Sequence, residues 1–410
     1  MSASKVNRRR FLNQITGTVA ALPLLQRAEA ALQEIKIKRI RFYRSPLSRP
    51  MVNQSFHLVT VETDQGITGV GEGGNVDGMR HCAELLIGQD ARRIEHLWQY
   101  MYRAYFYPPG RDNIHALGAL DLALWDIKGK ALDVPVYELL GGLVREHIPC
   151  YATGFPRQGS LEETARACME AGFRAFREHL ADPPAGKRFD SRKQVRRAAE
   201  QCRRMREGVG PDGEWAIDFH TRVDFADAVR LCQRIEDYEP LFVEDLVRSE
   251  NPAVYRELRP QVKVPIAVGE HFGDRWEINE LIENRLIDYS RVTLPNTGGI
   301  TEMLKIAALC ETHYIGLVPH FTGPIAVAAL VHLLGTFPGQ VMQEMTGRGE
   351  QDIDYLPQKY DFKNGKLWPN SRPGLGVEVD TKGLELLLEV TEHRQPIPLY
   401  RRPDGSITNW

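Results

Sequence analysis

The chain lacks any apolar run long enough to cross a bilayer as a mature segment, which takes about 20 consecutive apolar residues. Stable membrane insertion is therefore not expected. It also lacks surplus charge. Lys and Arg number 52 against 54 Asp and Glu, formally −2, so neither nucleic acid nor an anionic surface is an expected partner. Cysteine is sparse and unpatterned. Cys82, Cys150, Cys168, Cys202, Cys232 and Cys310 contain no C-x-x-C pair and no zinc-finger spacing, and they are expected as mostly buried free thiols. The glycine-rich GVGEGG at 69–74 has no phosphate-loop lysine and reads as a mobile flap. No internal repeat is visible beyond an alternation of strand and helix.

What is present is ordinary in bulk, 42% hydrophobic and 26% charged, and specific in pattern. Near the N-terminus, Asn7-Arg8-Arg9-Arg10-Phe11-Leu12 precedes a mildly apolar stretch from Ile15 to Leu25 and then Ala28-Glu29-Ala30. That order reads as a twin-arginine export signal over residues 1–30, cleaved after Ala30, which places the protein in a bacterial periplasm or facing outward.

Residues 31–146 read as an α+β capping domain. Strands are expected at 35–43 and 56–63 with a hairpin at Asp64-Gln65-Gly66, then helices at 81–86, 94–102 and 114–132. From Ile148 the style changes to alternating strands and helices. Strands are expected at 148–153, 173–178, 214–218, 241–244, 265–269, 287–293, 315–318 and 340–343. Eight parallel strands over residues 147–350 make an α/β fold, a (β/α) barrel of seven or eight units. The Pro- and Gly-rich segment 351–410 is expected to return to the capping domain.

Asp218, Glu244 and Glu270 are spaced by 26 residues each, and each closes a short apolar run. That interval is one strand-plus-helix unit, so the acids fall at successive strand ends, which in a barrel converge on one mouth. Three convergent carboxylates repel unless a cation holds them, and hard oxygen donors suit Mg²⁺. On the same ruler lie His320, after Val318-Pro319, and Glu344, after Gln343. His220 lies two residues past Asp218 and on a strand would point to the same side.

These residues sit among ALWDIKGK (123–130), PVYELLGG (135–142), IDFHTRV (217–223), FVED (242–245), VGE (268–270), GGITE (298–302) and PHFTGP (319–324). Together they closely resemble the enolase superfamily from about residue 35 onward. The nearest part is its mandelate racemase-like branch, and within that the sugar-acid dehydratases of the galactonate and mannonate type. The resemblance implies Mg²⁺ on Asp218, Glu244 and Glu270, chelating the carboxylate of a sugar acid. A base removes the proton α to that carboxylate, and the β-hydroxyl leaves as water to give a 2-keto-3-deoxy acid. His220 would be the acid and His320 the base or a second acid. Arg177 stands where the family often has lysine and would act electrostatically. His179, at the next same-face position, is a further candidate base. The resemblance also implies a homo-oligomer. It places specificity in two flaps, about 45–54 and 73–80, with Arg44, Arg49, Asn53 and Asn75 as candidate substrate contacts.

Two departures bear on the chemistry. Thr293 stands where much of the branch has an aspartate paired to the seventh-strand histidine, and Arg177-x-His179 replaces the Lys-x-Lys of racemases. The mannonate-type proteins also lack that aspartate and use a loop Tyr–Arg pair, for which Tyr151 and Arg157 are the candidates here. A cycloisomerase or epimerase on the same scaffold, and a non-catalytic acid-binding homologue, remain open at this point.

Overall fold

The structure is a computed structural model that describes residues 33–47, 55–183, 186, 188–349 and 352–408. The export signal, Arg49 and Asn53 lie outside the described residues.

The capping sheet orders β14-β1-β2-β3, with β1 (Ile37–Tyr43), β2 (Leu58–Thr63), β3 (Thr68–Glu72) and β14 (Leu386–Val390) all antiparallel. Val59 and Val61 of β2 and Ile40 and Phe42 of β1 bury their side chains against three helices. These are α1 (Val76–Leu86), α2 (Ile94–Arg103) and α3 (Gly110–Leu132). The expectation of a mobile flap at 69–74 is corrected here. Thr68–Glu72 is a paired strand, and its glycines serve packing rather than motion. A Cβ on Gly69 would lie 2.1 Å from Ala123 O and one on Gly71 1.9 Å from Ala119 O, so only glycine lets β3 lie on α3.

α3 is buried nearly all round, beyond the single face expected from Leu117, Leu120, Leu124, Trp125 and Ile127. It lies between the capping sheet and the barrel, and each fully buried Leu contributes about 1.5–3 kcal/mol. A short helix α4 (Val136–Leu139) follows, and then the barrel.

The barrel strands run in parallel as β4 (Ile148–Thr153), β5 (Ala175–His179), β6 (Glu214–Asp218), β7 (Phe242–Glu244), β8 (Ile266–Val268), β9 (Tyr289–Ser290) and β10 (Gly316–Leu317). The eighth, β11 (Gln343–Thr346), pairs with β4, and a Leu317–Val341 bridge closes the ring. It starts three residues later than the expected 340–343. Helices α5 (Leu161–Glu170), α6 (Ser191–Val209), α7 (Phe225–Ile235), α8 (Tyr255–Leu258), α9 (Arg275–Glu283), α10 (Ile300–Thr312) and α11 (Pro324–Thr336) lie between successive strands. Their first turns are set locally: Ser160 and Glu163 form a reciprocal capping box at α5.

The tail divides. β12 (Asp361–Lys363) and β13 (Lys366–Trp368) form a hairpin that pairs with β4, while β14 returns to the capping sheet. All six cysteines are free and buried, as expected. Among the described residues no helix is long and apolar enough to cross a membrane.

Candidate active site

The strand ends bring five carboxylates to the barrel mouth: Asp218, Glu244, Asp245, Glu270 and Glu344. Two fully buried guanidinium groups run between them. Arg177 of β5 donates to Asp218 Oδ2 (2.7 Å) and Glu244 Oε2 (2.8 Å), and its Nη1 lies 3.3 Å from Glu344 Oε1. Arg291, which follows β9, pairs with Glu244 through Nε and with Glu344 Oε2 at 2.7 Å, and reaches Glu270 Oε2 at 3.5 Å. Its Nη1 also donates to the Tyr151 hydroxyl. Five carboxylates against two arginines leave an excess of negative charge in a buried space, where electrostatic interactions are strong.

The acids respond unequally. Burial pushes Asp218 up, but Arg177 and His220 outweigh it and hold its carboxyl at about 2. Burial dominates at Glu244 and raises it well above the carboxylate range, and it lifts Asp245 to about 6. Burial also pushes Glu270 and Glu344 upward. At Glu270 the charges of His320 and Arg291 prevail, and at Glu344 those of Arg291 and Arg177, so both lie below the ordinary value.

Could these residues hold a divalent cation? Glu244 Oε1 is met by Arg291 Nε and Asp245 Oδ2 lies 3.2 Å from His271 Nε2, so neither oxygen is orphaned, and the fit to a cation rests on the grouping and chemistry of the acids. Two groups have ligand atoms within 4.8 Å of one another: Asp218 with Glu244 and Asp245, and Asp245 with Glu270 and His271. The expected trio of Asp218, Glu244 and Glu270 is therefore split between two overlapping groups that share Asp245. The hard oxygen donors and the charge imbalance fit Mg²⁺. Asp245 follows the selected Glu244 in FVED; its adjacency was the available signal.

His220 reaches Asp218 by a different route from the one expected. β6 ends at Asp218, and His220 is not on the strand but in the left-handed region at φ 49°. Its N–H donates to Asp218 Oδ1 (2.6 Å), which turns the ring back so that Nε2 lies 2.9 Å from Asp218 Oδ2. Asp245, at φ 45°, holds a similar conformation after β7. Such backbone is sparsely populated for residues with a Cβ and clusters at functional sites. The bond to Asp218 raises the His220 pKa against the opposing effect of burial.

His320 is buried. Its Nε2 lies 3.2 Å from Glu270 Oε2 and its Nδ1 3.2 Å from Thr293 Oγ1. Burial lowers its pKa, although Glu270 opposes the shift. A hydroxyl donates or accepts, so Thr293 does not fix the tautomer as an aspartate would.

His220 and His320 line one cavity of about 340 Å³, together with Glu270, His271, Asn296 and Arg222. Arg111 and His115 of α3 close it from the capping side. A second, more apolar cavity of about 380 Å³ adjoins Glu344 between Phe56 and Phe321.

Several expectations need correction. His179 does not line the histidine cavity: its ring stacks on that of His220 at 6.2 Å, and burial lowers its pKa. Tyr151 is locked inside the barrel under Arg291, and Arg157 pairs with Glu178 at 3.3 Å, so the two do not form a dyad. Arg44 is taken by exposed Glu385. Asn75 caps α1, accepting from Gly78 N at 2.8 Å. Sequence reading assigned no role to Arg291 or to Arg222 of IDFHTRV and did not single out His271, Arg111, His115 or Asn296, which carry no shared period.

The Enolase C-terminal domain-like model matches residues 160–383, and the Mandelate racemase / muconate lactonizing enzyme N-terminal domain model matches 44–141. The chain is similar to D-galactonate dehydratase of Pectobacterium atrosepticum, 36% identical over 394 residues, covering 92% of this chain and 100% of the relative. The D-galactonate dehydratase of Ralstonia pickettii is also 36% identical, over 393 residues, with the same coverage. Among solved structures, an enolase from Pantoea ananatis with bound D-gluconate and Mg superposes with a TM-score of 0.75 at 28% identity, covering 84% of this chain and 93% of that one. A member of the enolase superfamily from Salmonella Typhimurium superposes with a TM-score of 0.77 at 25% identity, covering 87% and 100%.

Proposed function

The chain belongs to the mandelate racemase/muconate lactonizing enzyme branch of the enolase superfamily, among its sugar-acid dehydratases, and from that premise we propose that it is a hydro-lyase of an aldonate. It removes the proton α to the carboxylate and expels the β-hydroxyl as water, leaving a 2-keto-3-deoxy acid. The observation that carries this reading is the single cavity shared by His220, His320 and Glu270 at the edge of the acid cluster.

Asp218, Glu244 and Glu270, with Asp245 beside them, are the residues that would hold Mg²⁺. When bound there, the ion supplies positive charge to the substrate carboxylate and to the charge that develops on it as the α-proton leaves. His320 takes that proton. His220, bonded to Asp218 and open to the cavity, gives a proton to the departing hydroxyl, which is a poor leaving group without one. Arg177 and Arg291 keep the carboxylates apart and compensate their charge. Glu344 touches both arginines and Phe321 N, so it orients the site rather than moving protons. Arg111, His115 and Asn296 line the same cavity and offer polar groups to the substrate's hydroxyls.

The test incubates residues 31–410 with Mg²⁺ and a panel of aldonic, aldaric and anhydro-sugar acids, with semicarbazide to trap 2-keto products. An aldonate that loses one water, and no longer does so with His220→Asn, supports the reading. A product of unchanged mass moves the chain to isomerase chemistry, and no turnover despite Mg²⁺ binding removes the dehydratase reading. We further propose export through residues 1–30 and assembly into a homo-oligomer. Cell fractionation and sedimentation test these: cytoplasmic protein, or a monomer at working concentration, would count against them.

A further inference from the structure

Glu72 ends β3 in the capping domain, yet its carboxylate is buried at the start of α11 in the barrel. It accepts from Ile325 N at 3.1 Å and Ala326 N at 3.4 Å, two amides that a helix start leaves without partners. Gly323 makes this approach possible, because a Cβ there would lie 2.3 Å from the Glu72 carboxyl carbon.

The segment held this way is the one that carries His320. From Leu317 at the end of β10 the chain runs through His320 and Phe321 to α11. Three carboxylates hold it: Glu270 contacts His320 Nε2 at 3.2 Å, Glu344 accepts from Phe321 N at 2.8 Å, and Glu72 takes the far end. Only Glu72 comes from the capping domain. It also shares a small cavity of about 20 Å³ with His320, Thr293 and Asn296.

The neighbouring loop repeats the arrangement. Asp121 of α3 accepts from Thr301 N at 3.0 Å at the start of α10, and a Cβ on Gly299 would lie 2.4 Å from Asp121 Oδ2. That loop carries Thr293, the hydrogen-bond partner of His320. Both members of the Thr293–His320 pair thus sit on loops whose following helices are held by capping-domain acids.

We propose that Glu72 is a positioning residue that fixes the place of His320 from the capping domain. The catalytic part of this inference rests on the dehydratase reading; the clamp itself does not.

The test compares wild type with Glu72→Ala, Glu72→Gln and Gly323→Ala, the last leaving the carboxylate in the chain should the others fail to fold. Hydrogen exchange of peptides spanning 319–327 is read alongside kcat and KM on the aldonate from the screen. In folded Glu72→Ala and Gly323→Ala exchange there rises and kcat falls, each roughly tenfold, with KM within about twofold, because a small displacement of a reacting group costs rate more than binding, and Glu72→Gln, which keeps one acceptor oxygen, falls between these and wild type. Unchanged exchange overturns the clamp. Faster exchange with kcat at the wild-type level reduces Glu72 to a structural contact and overturns its positioning role. If wild type turns over no aldonate, the dehydratase reading fails, and exchange alone still decides whether Glu72 holds the segment.

Discussion

The two halves of the site are ordered by different parts of the molecule. The acids of β6, β7 and β11 are held by Arg177 and Arg291, both buried barrel residues. The half containing His320 and Thr293 depends on the capping domain. Glu72 and Asp121 grip the two following helices, Trp98 Nε1 donates to Gly298 O at 2.8 Å, and a Cβ on Gly118 of α3 would lie 2.0 Å from Pro295 O. The acid half is therefore built once the barrel closes. The histidine half is complete only when the two domains are joined.

The largest effect expected is on the barrel-held half. Arg291→Met removes one of the two buried cations that Glu244 and Glu344 share, leaving Arg177 alone against them, and should cost about 3–5 kcal/mol in urea unfolding. A loss below about 1 kcal/mol would mean that the ring of charges is not what orders the barrel mouth. His220→Asn should lower kcat about 10²–10⁴-fold while Mg²⁺ binding by calorimetry is retained, since it removes a proton donor and not a carboxylate. Equal loss of Mg²⁺ binding would group His220 with the acids instead.

Glu72 sharpens the comparison through pH. Burial raises its carboxyl from an ordinary 4.5 to about 8, so the folded chain holds the proton more tightly than the unfolded one. Stability is then full below about 4.5 and declines as pH rises to about 8. Glu72→Gln should flatten the fall of melting temperature across that window. Some slope should remain from Asp121, which burial raises to about 7. An unchanged slope would show that Glu72 is ionised throughout.

Asp245→Asn should weaken Mg²⁺ binding roughly 10–100-fold if the shared acid supports both metal-competent groups. Unaltered affinity would return the site to the spaced trio alone. The smallest effect is expected at Arg44→Ala, an exposed pair with Glu385 that should leave melting temperature and KM unchanged. A raised KM would restore Arg44 as a substrate contact.

Much of the barrel was legible because its signals are local. Apolar runs of strand length recur at the period of one strand and one helix, and the acids that end them share that period. Glycine misled at 69–74, where GVGE belongs to a strand pressed onto α3 and Gly69 and Gly71 answer to that neighbouring helix. Periodicity failed in another way at His220. Alternation along a strand assumed the strand continued, whereas the chain turns into the left-handed region just past Asp218.

The sequence alone determined the fold class, the family and the convergence of Asp218, Glu244, Glu270, His320 and Glu344 on one mouth, because strand–helix period and apolar patterning are properties of neighbouring residues. Only the tertiary structure decided what those residues touch. Arg291 meets Tyr151 across 140 positions and Glu72 meets Ile325 across 253, and no local rule links residues so far apart. Such contacts form when chain closure and domain docking bury charges that must then find partners, and that requirement selected Arg177, Arg291 and Glu72.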